Sequence, residues 1–340
     1  MKFPIEYQVV EQVQANTNLL RSILSLRIAT RRIASVPDGF VLVKMEAAPL
    51  NPSDIAFLQG SYNVRKSFPA VPGFEGAGSV VALGAGVDDC WLGRNVACFA
   101  GAEGDGSWAG YMLARPWQLI ALDGTLSWDQ MATFLVNPFT AHAMFQMALN
   151  DNAAVIAINA AGSRLAQWMR LFADQKEMKT INIVRKHQTA ELLRSQGNSH
   201  VLVSTDEGFT EKFSELAHSL NCRIAFDAVG GSLGGIMLNA MPPKSRLVVY
   251  GGLSNQPLGE LDVLGLIFKE KRIEGFDLNQ WWASTSDKLK VVVAEQVTGL
   301  LKSGQIQTPI SQVVEMKDIA SGLRHYIGHM SEGKVLLRMG

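Results

Sequence analysis

Cysteine is scarce in this chain. Its 340 residues hold three, Cys90, Cys98 and Cys222. No two share metal-ligand spacing, and an odd number argues against a disulfide framework. A structural zinc lobe needs four thiolates, and three cannot build one. An excess of charge of one sign is also missing: 31 Lys and Arg face 31 Asp and Glu. This balance removes the electrostatic case for nucleic acid or an anionic membrane as a partner, although a local basic pocket stays compatible with it. No apolar run approaches the roughly 20 residues of a membrane span. The start, Met1-Lys2-Phe3-Pro4-Ile5-Glu6, lacks the basic-then-apolar order of a secretory signal. A reducing, cytoplasmic setting is expected. There is no Gly-x-Ser-x-Gly elbow, which argues against a serine hydrolase. The six histidines show no metal pairing, and His142 and His187 read as ordinary helix or loop residues.

What is present divides into two textures. From about Glu6 to Leu122, short β-type runs alternate with Gly, Pro and Asp. Examples are Val41–Val43, Ser79–Leu83 and Asn95–Phe99, and they suggest a small barrel-like β domain. Helix is expected there only at about Ser53–Leu58. The stretch Asn51-Pro52-Ser53-Asp54 opens it, and Gln59-Gly60-Ser61-Tyr62 closes it with one phenol. Taken alone, Tyr62 reads as a packing residue.

At about Ser127 the pattern changes. Ser127 reads as an N-cap with Gln130 three residues on. A helix from Asn137 to about Leu149 leads to the apolar run Ala153–Ile158, a strand buried on both faces. Strands at Thr180–Val184, His200–Val203, Arg223–Asp227 and Arg246–Tyr250 follow. Helices at Arg164–Ala173, Thr189–Gln196, Thr210–Leu220 and Leu233–Ala240 alternate with them. Such alternation implies a doubly wound parallel sheet, an α/β fold. After Ile273–Phe276 come an amphipathic helix, Asp287–Ser303, and a β-rich tail ending in Lys334–Arg338.

In a doubly wound sheet, ligands sit at the carboxyl ends of the strands. The turn after Ile158 keeps one glycine of the dinucleotide fingerprint, Gly162. Both an ordinary strand–helix turn and a phosphate site fit it. Ser163 could cap the helix, and Arg164 could contact phosphate or obstruct it. The second strand ends in Arg185-Lys186 where an NAD-specific site places an acid. Two cations there suit a 2′-phosphate and predict NADPH over NADH; a solvated basic strand end is the alternative. Ala228-Val229-Gly230-Gly231 and Tyr250-Gly251-Gly252 place glycine pairs at two further strand ends, where backbone can approach a flat ligand.

This ordering resembles the medium-chain dehydrogenase/reductase superfamily, within it the zinc-free trans-2-enoyl-thioester reductases, and next the quinone oxidoreductases. The resemblance runs from about Val41 to the end. It is carried by Asn51–Ile55 with Gln59–Tyr62, by Gly73-Phe74-Glu75-Gly76, Gly106-Ser107-Trp108 and Asn137–Ala141. Thr180–Arg185, Tyr250-Gly251-Gly252, Ile267-Phe268-Lys269 and Gln280-Trp281 add to it. The resemblance implies a GroES-like β-barrel catalytic domain, 1–127 with 277–340, and a Rossmann-type dinucleotide-binding domain, 128–276. It implies NADPH as cofactor and a homodimer formed by extension of the sheet. It implies Tyr62 as the group that assists protonation, and Trp281 as an aromatic lining the acyl and nicotinamide region. Arg185 would contact the NADPH phosphate, Asn137 and Thr140 would lie near the nicotinamide, and Asn51 joins the cofactor-binding set. Where the family has Ser-Gly-Val-Gly, this chain has Ser163-Arg164-Leu165-Ala166.

Ser53 and Phe74 stand where zinc-dependent members carry Cys and His, so no catalytic metal is expected. Without metal, an activated double bond is the accessible substrate. A phenol, with a reference pKa of about 10, stays protonated to serve as donor. The expected activity is NADPH-dependent reduction of an enoyl thioester or enone. A quinone is the close alternative, and a non-catalytic nucleotide-sensing relative is a second. Trp282, beside Trp281, is expected to be exposed and available to a dimer contact.

Overall fold

The run Val41-Leu42-Val43 opens a longer strand, Val41–Pro49, whose side chains are mostly buried on both faces. In the computed structural model, which describes residues 3–339, it is the centre of the first of two compact units. That unit takes the chain up to Val136 and again from Thr285 onward; the second is Asn137–Ser284.

In the first unit, Val41–Pro49 pairs antiparallel with Glu75–Leu83 along one side. Along the other, Tyr111–Ala114 takes its first half and Lys334–Arg338 its second. Asn95–Phe99 and Leu119–Leu122 extend the sheet beyond Glu75–Leu83, and Ile310–Glu315 lies parallel to Lys334–Arg338. Flanked on both edges and covered over most of both faces, the strand is nearly all apolar, with Lys44 its one exposed residue. Trp108, Met45 and Leu337 meet in its core. Burying each such side chain contributes about 2–3 kcal/mol. A separate antiparallel pair, Ile5–Gln12 with Leu26–Ile33, carries the helix Leu19–Leu24 between its strands. The β-rich tail also holds a helix, Ile319–Gly328. Its buried residues Ile319, Gly322, Leu323 and Tyr326 follow helical spacing. Gly322 lets it lie close to its neighbour, since a Cβ there would come within 2.9 Å of the Val314 side chain.

The second unit is built on six parallel strands, in the spatial order Val201–Val203, Lys179–Val184, Val155–Ile158, Ile224–Asp227, Arg246–Val249, Arg272–Gly275. The doubly wound expectation is met, and strand order reverses between Val155–Ile158 and Ile224–Asp227. Helices Arg164–Asp174, His187–Ser195, Phe209–Ser219 and Gly231–Ala240 link the strands. Helices Val263–Phe268 and Leu278–Ser284 were not anticipated, being too short to show a 3.6-residue period. Among the described residues no helix is long and apolar enough to cross a membrane.

Candidate active site

At the switch point of the parallel sheet, Val155–Ile158 runs into the turn Asn159–Ser163. Ser163 caps the next helix, its Oγ accepting from the Ala166 N–H at 3.2 Å. Gly162 serves packing: a Cβ there would lie 2.7 Å from Thr189 Cγ2. Arg164 opens the helix, donates to Gln167 Oε1 at 2.9 Å, and keeps a buried Nε without a hydrogen-bond partner. Burial lowers its pKa. At the second strand's end, Arg185 and Lys186 are both exposed, and among the described residues neither forms an ion pair. His187, next in line, is 3.0 Å from Asp206.

At the fourth strand's end the N–H groups of Val229 and Gly230 donate to Asp227 Oδ1 at 2.8 and 2.9 Å. Gly230 sits at φ +66°, a backbone open to glycine. At the fifth, the Tyr250 hydroxyl is buried without a hydrogen-bond partner. Burial first, and Asp227 second, hold it well above the usual phenol range. Gly251 has its own strand neighbour to satisfy, because a Cβ would meet the Ala228 carbonyl oxygen at 2.8 Å; Gly252 faces open space.

The helix Val136–Asn150 carries Asn137, half-buried, and Thr140, buried. Phe139 between them packs edge-on against Trp281, ring centroids 6.2 Å apart. The structure thus sets Phe139, on the helix that also carries Asn137 and Thr140, against Trp281. Trp282, expected to be exposed, is buried and packs on Phe139 at 5.3 Å. Adjacent residues on a helix point about 100° apart, so when one of the pair lines an edge the other turns into the core.

In the first unit Tyr62 is half-buried. Its ring lies 4.7 Å from that of Phe74, in an apolar wall with Phe57, Val64 and Ala70. On Phe74 also rests Lys66, its Nζ 5.9 Å from the ring centre and 2.9 Å from the Gly104 carbonyl. Burial brings Lys66 down to about 8.

Behind Phe74 lies a buried charged network that sequence reasoning did not assemble. Asn51 donates from its side chain to Glu75 Oε2 at 3.0 Å and from its backbone to Asp54 Oδ2 at 2.7 Å. Lys334 donates to Asn51 Oδ1 and to the Leu50 carbonyl. Burial raises both carboxylates, Asp54 to about 7, against the opposing charge of Lys334. The available signal was a cation at the head of the apolar run Val335-Leu336-Leu337, which a buried strand tolerates only with partners. Ser53 Oγ is buried without a hydrogen-bond partner. Among the described residues no group of three or more His, Cys, Asp or Glu side chains is arranged to hold a metal ion.

Residues 37–124 match the alcohol dehydrogenase GroES-like domain. Over 314 residues, 90% of this chain and 83% of the relative, the sequence is 31% identical to the mitochondrial enoyl-[acyl-carrier-protein] reductase of Bos taurus. The chain belongs to the medium-chain dehydrogenase/reductase superfamily. Among solved structures of this superfamily, a Mesorhizobium loti protein provisionally assigned as an NADPH:quinone reductase superposes with a TM-score of 0.91, at 27% identity, covering 99% of this chain and 100% of that one. The Candida tropicalis protein Etr1p, solved with NADP and crotonyl-CoA, shares the fold with a TM-score of 0.80 at 20% identity, over 98% of this chain and 100% of its own.

Proposed function

We propose that this medium-chain reductase uses NADPH to reduce the double bond of an α,β-unsaturated carbonyl, with an enoyl thioester as first substrate. The observation that carries the reading is the Tyr62 phenol, half-buried on Phe74 in a wall of apolar side chains. When bound, NADPH supplies the hydride. As the β-carbon is reduced, charge gathers on the substrate carbonyl oxygen and the α-carbon needs a proton. Tyr62 donates to that oxygen or assists that protonation, and its apolar surroundings strengthen the interaction. Trp281, with Phe139 behind it, lines the acyl chain.

Residues present in the second unit fit the cofactor. The unpaired, exposed Arg185 and Lys186 would hold a 2′-phosphate. The Ser163-capped helix start and the unpartnered Nε of Arg164 suit a pyrophosphate. Val229, Gly230, Tyr250, Gly251 and Gly252 would border the nicotinamide half, with Asn137 and Thr140. The division of labour is a catalytic domain, 1–127 with 277–340, and a dinucleotide-binding domain, 128–276.

The thioester preference draws on the bovine relative, and the Mesorhizobium loti structure keeps a quinone as the second reading. NADPH consumption measured with crotonyl-CoA, a simple enone and a quinone separates them. Turnover of the quinone alone overturns the thioester reading, and no binding of NADPH or NADH favours a nucleotide sensor or inert relative. A homodimer belongs to the same proposal. Arg272–Gly275 ends the sheet with one edge open, and beside it Val263, Leu264, Ile267 and Phe268 are exposed. A monomer by light scattering would count against it.

A further inference from the structure

We infer that Asn159, Asp227 and Arg170 take over the task that closely spaced glycines perform in a dinucleotide fingerprint, holding the Asn159–Ser163 turn in the shape that receives a pyrophosphate. The inference rests on the NADPH reading above. In the usual fingerprint, glycine supplies the tight turn and the close backbone approach. Here Arg164 and Ala166 stand where glycines are expected, yet the turn is still tight. Ala160 adopts φ +46°, a left-handed backbone that side-chain-bearing residues keep only where the surroundings over-determine it.

The surroundings do so from both flanks. On one, Asn159 is fully buried at the switch point. Its Nδ2 donates to Asp227 Oδ1 at 2.5 Å, and its Oδ1 accepts from the Ala228 N–H at 2.8 Å. The same Asp227 oxygen takes the N–H groups of Val229 and Gly230. One carboxylate oxygen therefore joins the first turn to the turn after the fourth strand. The other oxygen lies against the next helix, where only glycine fits: a Cβ on Gly234 would come within 2.3 Å of it. On the second flank, the Ala161 N–H donates to the Ile183 carbonyl at 3.0 Å. Arg170, buried, donates from Nη1 to the Ala161 carbonyl at 2.6 Å and to Asn182 Oδ1 at 3.2 Å. Ala161 is thus tied to the second strand through both its N–H and its carbonyl.

Buried polar contacts of this kind favour one conformation of the groups they join; here three donors converge on Asp227 Oδ1, while its Oδ2 is buried without a hydrogen-bond partner. Asn159, Asp227 and Arg170 are positioning residues. They preset the peptide planes of the turn and of Ala228–Gly230, so the backbone needs no further adjustment to meet an anion.

A double swap tests this in the full-length protein. Asn159→Asp sets a second carboxylate against Asp227. Asn159→Asp with Asp227→Asn exchanges the two groups, removes the carboxylate pair and can remake the bond between the two side chains, although an amide nitrogen in place of Asp227 Oδ1 no longer accepts the Val229 and Gly230 N–H groups. NADPH is titrated by quenching of tryptophan fluorescence, with KM and kcat measured alongside. The single variant should bind NADPH roughly tenfold or more weakly, with KM for NADPH rising by more than kcat falls. The double variant should recover part of that loss, binding NADPH more tightly than the single variant and more weakly than the natural chain. Should Asn159→Asp fail to fold, Asn159→Ala, compared by melting temperature, is read in its place with the same expected loss. A folded single variant with NADPH affinity within twofold of the natural chain overturns the clamp, as does a folded double variant that binds NADPH no better than the single one. If the natural chain binds neither NADPH nor NADH, the cofactor reading falls and the clamp with it. If it binds NADPH and the variants bind equally well, the clamp alone is rejected.

Discussion

The carboxylate of Glu75 accepts the backbone N–H groups of Leu135 and Val136, at 2.7 and 2.8 Å. Val136 begins the helix that carries Asn137 and Thr140, so a buried acid acts as its cap and complements its dipole. The other oxygen holds Asn51, which in turn takes Lys334. Replacing Glu75 by Ala strands these donors and leaves Lys334 facing Asp54 alone. We expect a loss of about 3 kcal/mol in urea unfolding, with Glu75→Gln between this variant and the natural chain. Equal unfolding midpoints for all three would refute the capping role.

Asp54 makes stability depend on pH. Burial raises it to about 7 from the 3.8 of a free side chain, so the fold favours the protonated acid. Its contribution is fully present below about pH 4, declines as pH rises, and is gone once pH passes about 7. Asp54→Asn imitates the protonated form. Between pH 5 and 8 the natural chain should lose on the order of 2 kcal/mol more than this variant. Glu75, raised by burial as well, leaves a residual slope of the same sign. Parallel pH profiles for both proteins would show that Asp54 does not titrate in this range.

Tyr62→Phe removes one oxygen and keeps the ring on Phe74. Turnover of an enoyl thioester should fall on the order of 10- to 100-fold, with NADPH affinity unchanged. Full activity in the variant would take the phenol out of the chemistry.

Arg185→Ala with Lys186→Ala should weaken NADPH by roughly tenfold or more and leave NADH nearly untouched, because only NADPH carries the 2′-phosphate. Added salt should weaken NADPH more steeply than NADH in the natural chain. Equal losses for both cofactors would place the two cations elsewhere.

Much of the fold could be read from residue order. The apolar run Ala153–Ile158 is too short for a usual helix and reads as a strand covered on both faces, and it forms Val155–Ile158. Ser127 with Gln130 forms the expected capping box. The helix Ile319–Gly328 escaped because Ser321, Gly322 and Gly328 dilute its pattern, although its buried positions keep the period. Of the proposed site, the glycine pairs and the Arg185-Lys186 cations were visible because each is contiguous. Asn159, Asp227 and Arg170 were not, because single polar residues beside apolar strands carry no local signature of their partners.

By itself the sequence determined the alternation of strands and helices, the paired cations and the placing of Tyr62 in a turn, because propensity and hydrophobic period act over a few residues. Only the tertiary structure decided which buried polar groups meet. Asn51, Glu75 and Lys334 lie 24 and 283 residues apart along the chain, and Asn159 and Asp227 lie 68 apart. Strand pairing and sheet closure bring them within hydrogen-bond distance, and burial then makes each contact obligatory.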